Sequence, residues 1–216
     1  MTVKWLAPTG LIALSLVPSI AGAIRVTELT SGAAVTTGNA RFFDMPLPVM
    51  LHIPGALIFC LLGAFQFSQG FRRRRPGWHR VAGRVLVPCG LVAALSGMWM
   101  TLVYDLPARD GDLLGAFRIL FGSAMVVFLV LGLVAALRRD FTRHRAWMMR
   151  GYAIGLGAGT QAVTGGIAYV FGTPDQLRWA LFMGAAWVIN LAVAERIIRR
   201  GRAKARPGQV LTRSVS

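Results

Sequence analysis

Acidic side chains are scarce. Only 8 Asp and Glu stand against 24 Lys and Arg in 216 residues, and all charged residues together make up 15% of the chain, well below the roughly one quarter usual in a soluble domain. With so few carboxylates, no Asp/Glu cluster of the kind that accompanies a zinc or di-iron site can be picked out. Cysteine is nearly absent. The two present, Cys60 and Cys89, cannot make a disulfide framework, and both sit in apolar runs, where they read as small apolar filler rather than as a redox pair. Three histidines, His52, His79 and His144, are too few for two stacked bis-histidine haems, which need four. The sequence also has no H-E-x-x-H, no Cys-x-x-Cys, no G-x-S-x-G and no G-x-x-x-x-G-K element. Metal hydrolysis, the hydrolase type of nucleophilic catalysis and phosphate-loop chemistry therefore find no footing, and a non-enzymatic role is expected.

Apolar residues are abundant, at 55% of the chain with a mean hydropathy of +0.58. They concentrate in six stretches: Trp5 to Ile24, Leu47 to Phe67, Val81 to Tyr104, Leu113 to Leu137, Ala146 to Phe171 and Leu177 to Ala194. Each approximates the roughly 20 residues with which a helix, rising about 1.5 Å per residue, crosses about 30 Å of hydrocarbon. The expected fold is an all-α membrane protein, one bundle of six transmembrane helices over residues 1–200. Residues 201–216 are expected to be a disordered basic tail.

A net charge of +16 would suggest nucleic acid in a soluble chain. Here the positions of the charges decide otherwise. With both termini placed inside, nineteen of the 24 Lys and Arg and only two acids, Asp140 and Glu195, fall in cytoplasmic segments, a division of +17 inside against −1 outside. That is the positive-inside asymmetry. It implies a bacterial inner (cytoplasmic) membrane protein with an attraction for anionic lipid headgroups and none for nucleic acid. The first stretch, ending in Ala21-Gly22-Ala23, can be read as a retained helix or as a cleavable signal peptide; its length and the topology favour the helix.

Polar side chains inside lipid cost a few kcal/mol each, about 3 for a charge at the helix centre, so those present are the candidates for function. Toward the outer face His52 and Arg118 each lie about five residues into their helices, roughly 8 Å deep by helical rise, where they could share a pocket with Trp99, Tyr104 and the deeper Gln161. Toward the inner face the set is larger: Gln66, His79, Arg80, Arg84, His144, Arg145, Arg150, Asn190 and Glu195. Cations at the amino-terminal ends of the third and fifth helices oppose the helix dipole, and a bound anion would relieve this. Anchoring of the arginines in headgroups is the alternative. His79 and His144 could instead ligate a single b-type haem with its propionates at Arg84 or Arg150.

His52-Ile53-Pro54-Gly55, Gly63-Ala64-Phe65-Gln66-Phe67, His79-Arg80 with Gly83-Arg84, His144-Arg145-Ala146-Trp147-Met148-Met149-Arg150, and Trp187-Val188-Ile189-Asn190 with Glu195 together resemble the bacterial predicted membrane protein family called domain of unknown function 2306. The resemblance covers about the last three-quarters of the chain. It implies a polytopic inner-membrane protein, nominates these His, Gln, Arg, Trp, Asn and Glu residues as the polar set, and supplies no activity. Three roles are carried forward: a cytoplasmic-side His/Arg site for an anionic ligand or lipid headgroup; a single-haem protein exchanging electrons with quinone or a membrane complex; and a small-solute transporter using His52, Arg118 and Gln161.

Overall fold

The structure is a computed structural model that describes residues 3–66 and 76–205. Among these residues the regular structure is all helical: α1 (Val3–Ser31), α2 (Ala40–Asp44), α3 (Pro46–Gln66), α4 (Pro76–Val103), α5 (Gly111–Leu137), α6 (Phe141–Gly155), α7 (Gly157–Val170) and α8 (Gln176–Ala205). The starts follow local chemistry. Pro46 and Pro76 open α3 and α4, where a missing N–H costs nothing. Asp140 accepts from the Arg143 backbone N–H at 3.0 Å ahead of α6, and Asp175 from that of Arg178 at 2.8 Å ahead of α8, each satisfying a free first-turn donor.

Five helices are long and apolar enough to cross a membrane, in the ranges Pro8–Ser31, Pro46–Gln66, Gly77–Val103, Gly111–Leu137 and Gln176–Gly201. The stretch 146–171, expected as one continuous span, is instead broken at Leu156 into α6 and α7. The reason lies in Gly155-Leu156-Gly157-Ala158-Gly159, since each glycine inside a helix is disfavoured by about 1 kcal/mol relative to alanine. At the break the N–H groups of Gly159 and Thr160 both turn to the Leu156 carbonyl. Two other differences are smaller. The connection read as Arg25 to Pro46 is partly helical, since α1 runs to Ser31 and α2 lies within it. At the other terminus α8 continues to Ala205, five residues into the segment read as tail; residues 206–216, like the Arg72 to Arg75 run, lie outside the described residues.

Burial is inverted relative to a protein built for water. Large aliphatic side chains point outward, with Val170 78% and Leu137 76% exposed, while many buried positions are Ala or Gly. Branched aliphatics facing hydrocarbon and small residues facing other helices are what packing in lipid selects. α4 packs on α3 and α5, α5 on α6 and α8, and α7 on α8, with α1 outside across α3 and α7. The α1–α7 crossing is close enough that a Cβ on Gly159 would lie 2.1 Å from the Leu14 carbonyl oxygen, so only glycine fits there. Alternating helix directions place Tyr104, Ala108 and Gln176 at one end of the bundle, joined by Tyr104 Oη to Met45 O at 2.7 Å and Gln176 Nε2 to Ala108 O at 2.6 Å. His79, His144 and Glu195 belong to the opposite end.

Candidate functional site

At the Asp110 end the helices surround an open cavity of about 550 Å³ lined by α1, α2, α3, α4, the 104–110 connection, α5, the α6–α7 break and α8. Its inner walls are apolar, with Phe59, Met98, Met125, Ile154 and Trp187 among them, and its polar residues include His52, Tyr104, Arg118 and Gln161. These are four of the five outer-side residues that the sequence singles out, carried by α3, by the residue just after α4, by α5 and by α7. Trp99 is not in the wall; it is 39% exposed on the outside of α4.

Each polar group in the wall is held differently. Arg118 Nη2 donates to Asp110 Oδ2 at 2.7 Å, and Asp110 Oδ1 accepts from Trp179 Nε1 at 3.1 Å. Asp110 is only 5% exposed, so its charge is supported by the guanidinium and the indole together. Arg118 Nη1 is buried and bonded to no described residue. His52 Nδ1 lies 2.8 Å from the Ala93 carbonyl and 3.3 Å from Ser96 Oγ. Gln161 Nε2 donates to Met183 O at 3.2 Å. Arg41 stacks over Phe42, and Arg109 stacks over Trp179 at 4.1 Å and bonds the Tyr169 hydroxyl; neither is ion-paired to a described acid. Both line the cavity. The wall thus carries Arg41, Arg109 and Arg118 against Asp110, a surplus of two positive charges.

The opposite end is organised around internal pairing. Arg150 Nε meets Glu195 Oε1 at 2.5 Å and stacks over Trp147 at 4.6 Å. His144 Nδ1 lies 2.8 Å from the Gly132 carbonyl, and Gln66 Nε2 donates to the His79 carbonyl at 3.4 Å. Arg80, Arg84 and Arg145 are exposed. His79 is carried by α4 and His144 by α6. α4 packs on α3 and α5, and α6 on α5 and α8.

Asn190, grouped with the inner set from sequence, serves the helix break. Its Nδ2 donates to Ala153 O at 3.1 Å and its Oδ1 accepts from Thr160 Oγ1 at 2.9 Å, so one side chain on α8 ties α6 to α7. Cys60 Sγ adds a long contact to Gly155 O at 3.5 Å, and Cys60 and Cys89 are both free thiols. Sequence reasoning missed Arg41, Arg109, Asp110 and Trp179 as site residues, because three lie in connections and the fourth in an apolar helix. The available signal was the Arg109-Asp110 pair beside the start of α5.

A family model for a predicted membrane protein, DUF2306, matches residues 49–198. The chain belongs to this family. The matched segment of this DUF2306 protein begins within α3 and ends within α8, so it contains His52, Arg118, Gln161 and Asn190 while leaving out α1 and Arg41, which complete the cavity. No curated protein and no solved structure matches.

Proposed function

We propose that this DUF2306 protein is a non-enzymatic six-pass protein of a bacterial inner membrane that binds an anionic amphiphile in the cavity at the Asp110 end. Both termini are cytoplasmic in this reading, and α6 with α7 forms the sixth crossing. The orientation rests on the arginine bias toward the His144 end. The observation that carries the ligand class is the pairing of apolar inner walls with two surplus guanidinium charges. Apolar surface takes a hydrocarbon body, and the guanidinium groups, those of Arg41 and Arg118 partly buried and that of Arg109 exposed, take a carboxylate or phosphate, the buried Arg118 Nη1 offering a ready donor.

The anion site expected around His79, Arg84, His144 and Arg150 ranks lower, because Arg150 already has a carboxylate partner and His144 a carbonyl one. The exposed Arg80 and Arg84 retain the simpler part of holding lipid headgroups.

The test uses dodecyl phosphate as the probe and dodecanol as its uncharged counterpart, in the purified full chain, with binding followed by native mass spectrometry and thermal shift. Dodecyl phosphate is expected to bind one to one and raise the melting temperature. An Arg41→Gln/Arg109→Gln double variant is expected to weaken it at least tenfold, the scale of one lost charge-assisted hydrogen bond of about 1.5 kcal/mol or more. Equal binding of both compounds, or an unaffected double variant, would overturn the reading.

A second reading, transport of the bound molecule, draws on the break at Leu156. Interrupted helices beside a central site are common in carriers, and Gly155, Leu156 and Gly159 border the cavity. Exchange of labelled dodecyl phosphate across proteoliposomes by the wild type, lost in Gln161→Leu, is its expected signature; no exchange above empty liposomes would remove it.

A further inference from the structure

His52 is the only histidine in the cavity wall. A carbonyl oxygen can only accept, so the 2.8 Å contact with Ala93 O assigns the proton to Nδ1, leaving Nε2 with a lone pair. Among the described residues nothing hydrogen-bonds Nε2. A histidine whose Nδ1–H is anchored to a backbone carbonyl while Nε2 stays open is held in the way that ligating histidines usually are, with ring orientation and tautomer both set. A bare cation would not suit this site, since the cavity has a surplus of positive charge and no described group of three or more His, Cys, Asp or Glu gathers there or elsewhere. The ligand must bring its own coordination sphere, negative charge and apolar body.

We infer that the cavity takes an iron porphyrin, held non-covalently, with His52 Nε2 as axial ligand and the two propionates met by Arg41, Arg109 and Arg118. This rests on the anionic-amphiphile reading and names the class of molecule within it. Phe59, Met98, Met125 and Trp187 provide apolar surface for a macrocycle, and a protein histidine is a common axial ligand for b-type haem. With a ferrous, neutral porphyrin core, two ionised propionates match the two surplus guanidinium charges. Cys60 is not the ligand, because its thiol is turned to the Gly155 carbonyl. This assignment places the haem at the opposite end of the bundle from His79 and His144.

The experiment is the visible spectrum of the full chain purified from haem-supplied cells and then titrated with haemin, oxidised and after dithionite. One haem per chain is expected, with a Soret band that moves to longer wavelength on reduction and a single broad visible band, the pattern of one histidine ligand. His52→Ala is expected to lose the histidine-ligated reduced spectrum and weaken haemin binding at least tenfold while still binding dodecyl phosphate, which shows that it is folded. Arg41→Gln/Arg109→Gln is expected to weaken haemin binding with the band positions unchanged, as fits groups that touch the propionates and not the iron. A wild-type protein that takes up no haem but binds dodecyl phosphate overturns the inference and leaves the proposed function standing; one that binds neither overturns both. A His52→Ala protein with the wild-type spectrum and affinity shows haem binding by another group and also overturns the inference.

Discussion

The two ends of the bundle treat their cations in opposite ways. At the His144 end, Arg150 lies 18% exposed against Glu195 at 33%, the guanidinium also covered by Trp147, and a carbonyl takes up His144. At the Asp110 end, three arginines share one described acid, Arg118 keeps a buried nitrogen unbonded, and His52 keeps a ring nitrogen open. In the cluster that is richer in the sequence, Arg150 and His144 are therefore already taken up by their own neighbours. The sparser one faces empty volume. Counting charges along a chain finds where a membrane protein is anchored; the geometry of their partners separates anchoring from recognition.

The sharpest way to break this comparison is at the paired end. Glu195→Ala leaves the half-buried Arg150 without its carboxylate, and a loss of about 2–3 kcal/mol is expected, somewhat below the cost of orphaning a fully buried charge. Unfolding in detergent followed by circular dichroism measures it, and a change under about 0.5 kcal/mol, the scale of an exposed pair, would show that the pair is no more than surface decoration. Asn190→Leu tests the clamp across the helix break. Losing both of its hydrogen bonds is expected to cost about 1–2 kcal/mol by the scale for bonds between membrane helices, with faster hydrogen exchange confined to the residues around Leu156. Exchange that rises equally across α8 would mean that Asn190 supports α8 and not the break.

At the open end the expected stability effect is smallest. Arg109→Gln removes a stacking guanidinium with no described ion pair, so a change within about 1 kcal/mol is expected, alongside weaker binding of dodecyl phosphate. A variant that loses stability and keeps its affinity would reverse the roles assigned to the two ends.

Much of the fold was legible before any coordinates. Apolar runs mark helices because lipid demands length and hydrophobicity alone, and five long helices stand where such runs do. The break at Leu156 was not legible, since its glycines also read as a surface for close helix packing; what separates the uses is whether another helix supplies a side chain such as Asn190 to hold the freed ends. The site was half legible. His52 and Arg118 stood out as polar groups at one depth, with Tyr104 and the deeper Gln161 beside them, but Asp110 and Trp179 complete the arrangement only because α8 is brought against α5, a tertiary fact with no trace in spacing. Arg41 and Arg109 lie beyond the apolar runs, where any arginine is unremarked.

The contact between Gly159 and the Leu14 carbonyl has a consequence for how this protein can vary. That seam joins α1, which the family match does not reach, to a position well inside the matched segment, and the cavity is shaped by both. Any substitution that puts even a methyl group at residue 159 must push α1 outward and reshape the chamber behind it. One glycine thus ties the wall outside the matched segment to the frame within it, so a change on either side of the seam calls for one on the other.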